Sequence, residues 1–424
     1  MGLISKNSFI SGVGIYFFSN IINAVIPFIL LPILTRYLTP SEYGEVAMFQ
    51  TLLGAVSAFV GISFVGAAGR KFYEKGLKKT ELAEFIGSCV QLTIVFSLLA
   101  LLILFIFRIQ LSEWIGIKTE YVILAVFVAS FTVVITMRLD QWQIRKQAVK
   151  YGLLQISQSL FNMLLSLFLV IVLLKGAEGR INAQIITSLV FVVIALYLLK
   201  KDNLLKVFTW RKDYLSEVLK FGVPLMPHLA GSFLLTTVDR FVINREIGLA
   251  EAGIYMVAVQ LTSAIGIVFD AINKAYVPWL FEKLTEDQLY EKKRIVKLTY
   301  IWFFLIIVGV GVSFLIGPSI VILIAGKEYA EAGKVVGWLA LGQGFQGMYL
   351  MVTNYIFYSR RTGLLSVASI SSGILNLILL VLLVRAFGLE GAAMAFATSM
   401  GIRFLLTWWI ANKRYPMPWL TINK

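Results

Sequence analysis

The stretch Arg36-Tyr37-Leu38-Thr39-Pro40-Ser41-Glu42-Tyr43-Gly44 has a counterpart later in the chain, Arg245-Glu246-Ile247-Gly248-Leu249-Ala250-Glu251-Ala252-Gly253. Both copies read R-x5-E-x-G. A weaker pair of matching segments, Gly176-Ala177-Glu178-Gly179 and Gly388-Leu389-Glu390-Gly391, lies at nearly the same spacing. Self-similarity at a fixed offset is the sequence signature of internal repetition. The chain of 424 residues therefore reads as two related halves.

The composition identifies the environment of these halves. Hydrophobic residues make up 59% and charged residues 14% of the chain, whereas soluble domains carry about 25% charged residues. Stretches without charge, long enough for the roughly 20 residues that cross a bilayer core, recur throughout. They cover 7–35, 46–69, 85–107, 121–137, 151–174, 181–199, 221–238, 252–269, 298–326, 335–359 and 362–384, and a twelfth, 391–412, is interrupted only by Arg403. We therefore expect an all-α integral membrane protein with twelve transmembrane helices.

The repeat determines how the twelve helices divide. Six helices per half is an even number, so both halves enter the membrane in the same orientation and the bundles are parallel. The expected bundles are 1–205 and 206–424, joined by a basic cytoplasmic linker. Both copies of R-x5-E-x-G then fall in short outer turns, which favours a role in folding and topology. Two related halves in a very apolar chain are typical of a transporter.

The net charge of +15 is consistent with a nucleic-acid partner, but the distribution of the charges argues against one. With the N-terminus placed inside, most Lys and Arg residues fall in cytoplasmic loops, as the positive-inside rule requires. Both termini are therefore expected to be cytoplasmic. The single cysteine, Cys89, excludes an intrachain disulfide. The sequence has no Cys/His cluster that would suggest a metal site and no phosphate-binding loop that would suggest an ATP site. We therefore expect no cofactor.

Arg403 is the deepest charge of the sequence, about halfway along the last apolar stretch. An arginine at this depth should face a polar cavity or a partner rather than lipid. Ser399 and Thr407 lie one turn to either side. The arginine is interpreted either as an anchor for phosphate or carboxylate, which guanidinium binds in a bidentate manner, or as half of a structural ion pair.

Other polar groups lie in helices 7 and 8. His228, the only histidine, follows the Pro224 and Pro227 pair and is either a proton relay or a hydrogen-bonded residue at a kink. Two charge pairs follow. Asp239-Arg240 lies near the outer end of helix 7, and Asp270 and Lys274 are an i,i+4 pair near the inner end of helix 8. Either pair serves substrate or ion binding, or is only a structural bridge.

Helix 5 carries a polar stripe, and its counterpart in the repeat carries a similar one. The stripe of helix 5 consists of Gln155, Gln158, Asn162 and Ser166. Such stripes either join helices or line a wet cavity, and the sequence does not decide between these for the amides.

Several segments resemble a known family. The run from Pro32 to Gly44 is similar to the end of helix 1 in bacterial polysaccharide flippases, the O-antigen and capsule repeat-unit exporters of the multidrug/oligosaccharidyl-lipid/polysaccharide exporter superfamily. Phe221 to His228, followed by Thr237 to Ile243, resembles helix 7 of that family. The segments Ala252 to Tyr255 and Asn273 to Trp279 fit as well. The resemblance extends over the whole chain.

This resemblance implies a V-shaped inner-membrane transporter, not an enzyme, that moves an undecaprenyl-diphosphate-linked oligosaccharide between leaflets by alternating access. It also implies membrane lipid as a partner, with a repeat-unit polymerase and a chain-length regulator as candidate protein partners. The diphosphate calls for basic residues, and ion coupling is a hypothesis. The diphosphate candidates are Arg403, Arg240, Lys274 and Arg36; the ion-coupling candidates are Asp239, Asp270 and His228.

Three alternatives stay open. A drug/cation antiporter of the same superfamily predicts a cavity of net acidic character, whereas basic candidates here equal or outnumber acidic ones. A membrane-embedded glycan polymerase or transferase predicts a large outer loop, which this sequence lacks. A lipid II flippase is the third, although we expect its members to be longer.

Overall fold

The computed structural model describes residues 6–359 and 363–419. Within these ranges the regular structure is helical throughout and contains no strand. Short 3₁₀ or π segments occur at Phe168–Val172, Val223–Leu225 and Lys327–Tyr329. The α-helices are α1 (Lys6–Tyr37), α2 (Pro40–Gly61), α3 (Phe64–Lys71), α4 (Lys79–Ile106), α5 (Arg108–Ile115), α6 (Thr119–Ile144), α7 (Ala148–Leu167), α8 (Gly176–Lys201), α9 (Lys212–Gly222), α10 (Met226–Thr236), α11 (Asp239–Glu246), α12 (Leu249–Thr285), α13 (Leu289–Ala325), α14 (Ala332–Tyr358) and α15 (Gly363–Arg414).

The described chain holds 11 segments long and apolar enough to cross a membrane. An all-α, multi-pass membrane protein is therefore confirmed, whereas the count of twelve is not. The difference lies in α15, whose 52 residues run through Gly388, where φ is 57° and ψ is −134°. These angles are not helical, so two helices meet at that glycine.

The chain forms two compact units, Met1–Leu229 and Ala230–Lys424. We call them unit 1 and unit 2. The division falls later than the 205/206 boundary expected from the basic linker. The reason is α9, which is held in unit 1 by an ion pair between Lys71 Nζ and Glu217 Oε2 at 2.8 Å. At its end Gly222 lies so close to α2 that an added Cβ would be 2.2 Å from the Ile62 carbonyl oxygen.

The repeated motif marks the same structural position in each unit. Its arginine lies in the last turn of α1 or α11, and its glutamate lies in the first turn of α2 or α12. In the first copy the Thr39 N–H donates to Glu42 Oε2 at 2.9 Å, and the Glu42 N–H donates to Thr39 Oγ1 at 3.3 Å. This capping box satisfies free N–H groups at the start of a helix. The motif thus ends one helix and begins the next.

Helix 7 of the sequence analysis, 221–238, is not one continuous helix. A 3₁₀ segment at Val223–Leu225 separates α9 from α10, as expected where Pro224 removes a backbone donor. A second break follows after Thr236, before α11 begins at Asp239. By contrast, α1 continues through both Pro27 and Pro32.

Glycines let α15 pack closely on α14 in unit 2. A Cβ added to Gly342 of α14 would lie 2.3 Å from the Phe396 ring, and one added to Gly401 of α15 would lie 3.1 Å from the Phe345 ring. Small residues at such contacts allow helix backbones to approach each other. Beside this contact Phe404 and Trp408 of α15 pack in the aromatic core of the unit. This packing fixes the rotation of α15 and hence the direction of Arg403.

Candidate binding cavities

Unit 2 contains a cavity of about 510 Å³ whose wall is built by α10, α11, α12, α14 and α15. Its lining includes the predicted residues Arg403, Asp239 and Asp270, which lie on three different helices. Two amide side chains of α14, Gln343 and Gln346, lie on the same wall. The fold therefore gathers an arginine, two carboxylates and two amides around one space.

Arg403 is held in this cavity by neutral groups. Its Nη1 donates to Gln346 Oε1 at 3.3 Å and its Nη2 donates to Ser369 Oγ at 3.4 Å. The guanidinium carbon lies 4.1 Å from the centre of the Tyr349 ring. No ion pair formed among the described residues includes Arg403, and its buried Nε has no hydrogen-bond partner there. Its positive charge is therefore not neutralised by a carboxylate of the described chain.

Asp239 and Arg240 pair with each other. Their side chains are only 6% and 7% exposed, and Arg240 Nη1 lies 3.1 Å from Asp239 Oδ1. Arg240 Nη1 also donates to the Thr236 carbonyl at 2.8 Å, and the Arg240 N–H donates to Asp239 Oδ1 at 2.9 Å. Only Asp239 reaches the cavity wall. The Asp239 carboxylate thus faces the cavity, and its charge is already neutralised by Arg240, which lies outside the cavity wall.

Asp270 and Lys274 form the expected i,i+4 pair on α12, with Nζ and Oδ2 at 2.6 Å. This prediction is confirmed. Both side chains are exposed, and Asp270 lines the cavity whereas Lys274 does not. The second carboxylate of the wall therefore also has its own cation.

The other two candidates lie elsewhere. Arg36 is exposed in the last turn of α1, and His228 is exposed near the start of α10. Neither lines a cavity found in its unit. The helix is interrupted after Thr236, so His228 and Asp239 lie on different helices, α10 and α11.

Unit 1 contains a second polar cavity, of about 400 Å³, whose wall includes the stripe residues Gln155, Gln158 and Asn162. The amides thus line a cavity instead of only joining helices. Arg180 of α8 lies on the same wall, and its Nη1 donates to Asn162 Oδ1 at 2.8 Å and to Ser166 Oγ at 2.9 Å. The apolar stretch predicted at 181–199 leaves Arg180 just outside the membrane-spanning segment. The stripe itself was the available signal, because buried amide oxygens call for a donor.

The end of α3 and one side of α9 form a third site in unit 1, a depression of about 490 Å³ lined by Arg70, Lys71 and Glu217 among others. Burial lowers the pKa of the Lys71 ammonium, but its hydrogen bonds to Glu217 and Glu74 more than offset this and raise the pKa above its usual value. Lys71 is therefore a structural cation that holds α9 against α3.

Comparison with known proteins identifies relatives. A family model described as polysaccharide biosynthesis protein matches residues 9–284. The probable low-salt glycan biosynthesis flippase Agl15 of Haloferax volcanii is 20% identical over 92% of this chain and 80% of its own.

Two solved structures share the fold. The lipid II flippase MurJ in an inward closed conformation aligns with a TM-score of 0.74 at 16% identity, over 95% of this chain and 87% of that one. An inward-facing multidrug resistance MATE family transporter of the MOP superfamily aligns with a TM-score of 0.72 at 15% identity, over 94% of each chain. At these identities the two likenesses show that the chain shares their fold.

Proposed function

Because the chain belongs to the polysaccharide biosynthesis protein family, we propose that it is a flippase for a lipid-linked glycan. Its substrate in this proposal is an undecaprenyl-diphosphate-linked oligosaccharide repeat unit, carried from the inner to the outer leaflet of a bacterial cytoplasmic membrane. The name of the Haloferax relative supports glycan flipping, and the fold shared with two transporters supports transport over enzymatic catalysis.

The observation that carries the proposal is the unneutralised guanidinium of Arg403 on a cavity wall. Leaving a charge at membrane depth without a counter-ion is costly, so such a residue normally has a functional partner. Guanidinium binds phosphate through two parallel hydrogen bonds. A diphosphate that enters the cavity would supply the missing negative charge.

The same cavity argues against the cation antiporter. Its two carboxylates, Asp239 and Asp270, each have a partner cation, Arg240 and Lys274. The charge left over on the wall is therefore the positive charge of Arg403. An anionic substrate gains from this arrangement, whereas a cationic drug would be repelled by it.

Each part of the substrate has a place in the proposed mechanism. The diphosphate binds Arg403, the glycan hydroxyls bind the amides Gln343 and Gln346, and the lipid tail stays in the bilayer. Arg36 and Lys274, both exposed, would attract the diphosphate before it is bound. The protein then exposes the bound headgroup to the other side of the membrane by alternating access.

Ion coupling is proposed through the paired carboxylates. Protonation of Asp239 would neutralise it and release Arg240, which could then turn to the diphosphate. Asp270 and Lys274 offer the same exchange in an exposed position, whereas His228 would act outside the cavities. If proton and sodium ionophores both left flipping intact, the coupling hypothesis would be abandoned.

The topology is part of the proposal. With the kink at Gly388 counted as a turn between two crossings, the chain has twelve transmembrane helices in two six-helix bundles, and both termini are cytoplasmic. The repeat-unit polymerase and the chain-length regulator are the proposed protein partners, because they would act on the flipped substrate.

Reconstitution tests the function directly. The purified protein is reconstituted in liposomes that contain a fluorescent undecaprenyl-diphosphate oligosaccharide. The fraction of this oligosaccharide that a membrane-impermeant glycosidase cleaves is followed over time. We expect lipid-linked glycan trapped in the inner leaflet to become cleavable only in liposomes that contain the protein. Cation uptake without glycan movement would favour the antiporter, and longer glycan products would favour a polymerase.

A further inference from the structure

We propose that the cavity of unit 1 is a subsite for a carboxylate-bearing sugar, with Arg180 as the group that binds the carboxylate. The inference rests on the proposed function, since it concerns the glycan of the transported lipid. It adds a chemical class to that substrate: an acidic glycan, one of whose sugars is a uronic acid or a comparable carboxylic acid.

The guanidinium of Arg180 is held by neutral groups and not by a carboxylate. The two groups bound by its Nη1, Asn162 Oδ1 and Ser166 Oγ, are both neutral. No Asp or Glu occurs among the described residues that line this cavity, and no ion pair of the described chain includes Arg180. By contrast, Arg138, fully buried in the same unit, is paired with Asp202. The cavity of unit 1 therefore carries an arginine charge without a counter-ion.

The wall around Arg180 has the chemistry of a sugar site. Gln155, Gln158 and Gln184 bring amides that donate and accept hydrogen bonds, and Thr187 and Ser188 bring hydroxyls. Gln184 is held in place by Gln50, whose Nε2 donates to Gln184 Oε1 at 2.6 Å. Several amides around one guanidinium match the many hydroxyls and the single planar anion of a uronic acid. A diphosphate carries more charge and has no hydroxyl groups to use the amides.

Arg180 is half-buried, and this position favours a ligand that neutralises its charge. A charge removed from water without a counter-ion is disfavoured, and a carboxylate in bidentate contact would repay that cost. The neutral partners Asn162 and Ser166 hold Nη1, which keeps the guanidinium at the wall of the cavity. The site is therefore prepared for an oxyanion instead of being closed by an internal ion pair.

The test compares two substrates that differ only in one carboxylate. Undecaprenyl-diphosphate disaccharides ending in glucuronic acid or in glucose are flipped by the full chain in liposomes, and their initial rates at limiting substrate are expressed as a ratio. We expect the acidic substrate to be preferred about tenfold, as a charge-assisted hydrogen bond predicts. Arg180→Gln should abolish the preference by lowering the rate for the acidic substrate to that for the glucose substrate, and Arg180→Lys should restore part of the preference.

Control variants separate this proposal from the alternatives. Arg108→Gln removes one positive charge of unit 1 outside the cavity, where the guanidinium stacks on Phe105, and should leave the ratio unchanged. Equal transport of both substrates by the unaltered protein would overturn the acidic-sugar site and leave the proposed function standing. An equal loss for both substrates in Arg180→Gln would mean that Arg180 binds the diphosphate or only stabilises the fold, and would also overturn it. No transport of either substrate would instead count against the flippase function itself.

Discussion

Arg403 is expected to contribute most of the attraction between the unit 2 cavity and an anionic group. Removing its charge in Arg403→Gln should slow flipping at limiting substrate at least tenfold, because a charge-assisted bidentate contact contributes about 2 kcal/mol. Arg403→Lys should recover part of the rate, since lysine keeps the charge but lacks the planar fork. The measurement is the initial rate in liposomes.

The matched control for Arg403 is Lys413→Gln. Lys413 lies on the same helix and its ammonium stands 3.8 Å from the centre of the Trp409 ring, outside the cavity. Lys413→Gln removes one positive charge from the protein, as Arg403→Gln does. If both variants slowed flipping equally, the effect would be one of overall charge and Arg403 would have no anchoring role.

Asp239 is predicted to matter for stability as well as for coupling. Asp239→Asn leaves Arg240 buried without a counter-ion, which should cost about 3–5 kcal/mol of the free energy of unfolding. Asp270→Asn removes a carboxylate from the same cavity, but its pair is exposed, so the expected loss is about 0–1 kcal/mol. Denaturation of the two purified variants in detergent gives the comparison. Similar stabilities of Asp239→Asn and Asp270→Asn would contradict the assignment of Asp239 and Arg240 as a buried ion pair.

At the level of single residues, sequence reasoning succeeded where periodicity was sufficient. The i,i+4 spacing of Asp270 and Lys274 predicts their contact without knowledge of the fold. Arg180 was not predicted as a cavity residue because the apolar stretch 181–199 begins after it, whereas α8 begins earlier, at Gly176. Whether a charge at the end of a span turns to the cavity or to water depends on the neighbouring helix. That neighbour is visible only in the tertiary structure.

At the level of elements, the turn within α15 depends on two glycines. Gly388 adopts the non-helical angles, and a Cβ added to Gly391 would lie 1.9 Å from the carbonyl oxygen of Leu383. Gly391→Ala should therefore destabilise unit 2 by about 1–3 kcal/mol, because a backbone atom cannot move aside as a side chain can. Thermal unfolding of the purified protein measures this loss.

Gly309→Ala is the control for this element. Gly309 lies within α13, and nothing lies within 4 Å of an added Cβ. Alanine is the better helix former by about 1 kcal/mol, so this variant should be as stable as the unaltered protein or more so. If Gly391→Ala behaved in the same way, the close backbone contact in α15 would be refuted.

The elements also show how far local sequence signals reach. R-x5-E-x-G carries a helix end and a capping glutamate within nine residues, so its position between two helices follows from the sequence alone. Helix 7 was drawn as one element because its apolar run is continuous, whereas it divides at Val223–Leu225 and again after Thr236. Hydropathy reports the solvent around a segment, not the course of its hydrogen bonds.

At the level of the whole molecule, composition predicts the class of protein, since the apolar runs can be satisfied only in a bilayer. Composition does not predict where one compact unit ends and the next begins. The basic linker suggested a division near 205/206, but α9 packs into unit 1 through the long-range pair of Lys71 and Glu217. Loop charge cannot predict such a contact.

The length of α15 leads to a prediction about topology. A straight helix of 52 residues would be about 78 Å long, more than twice the roughly 30 Å of a bilayer core. Two crossings that meet at Gly388 solve this problem, and they return the end of α15 to the side on which it began. A single crossing would place the two ends on opposite sides.

Single cysteines distinguish these topologies. The only native thiol, Cys89, is fully buried and is first replaced by serine. In the Cys89→Ser protein, Ala386→Cys and Lys327→Cys should react with a membrane-impermeant maleimide added to intact cells, whereas Gln288→Cys and Asn412→Cys should react only after the membrane is opened. All four positions are exposed. Labelling of Asn412→Cys from outside would mean that α15 crosses once, and the parallel arrangement of six helices in each half would then be wrong.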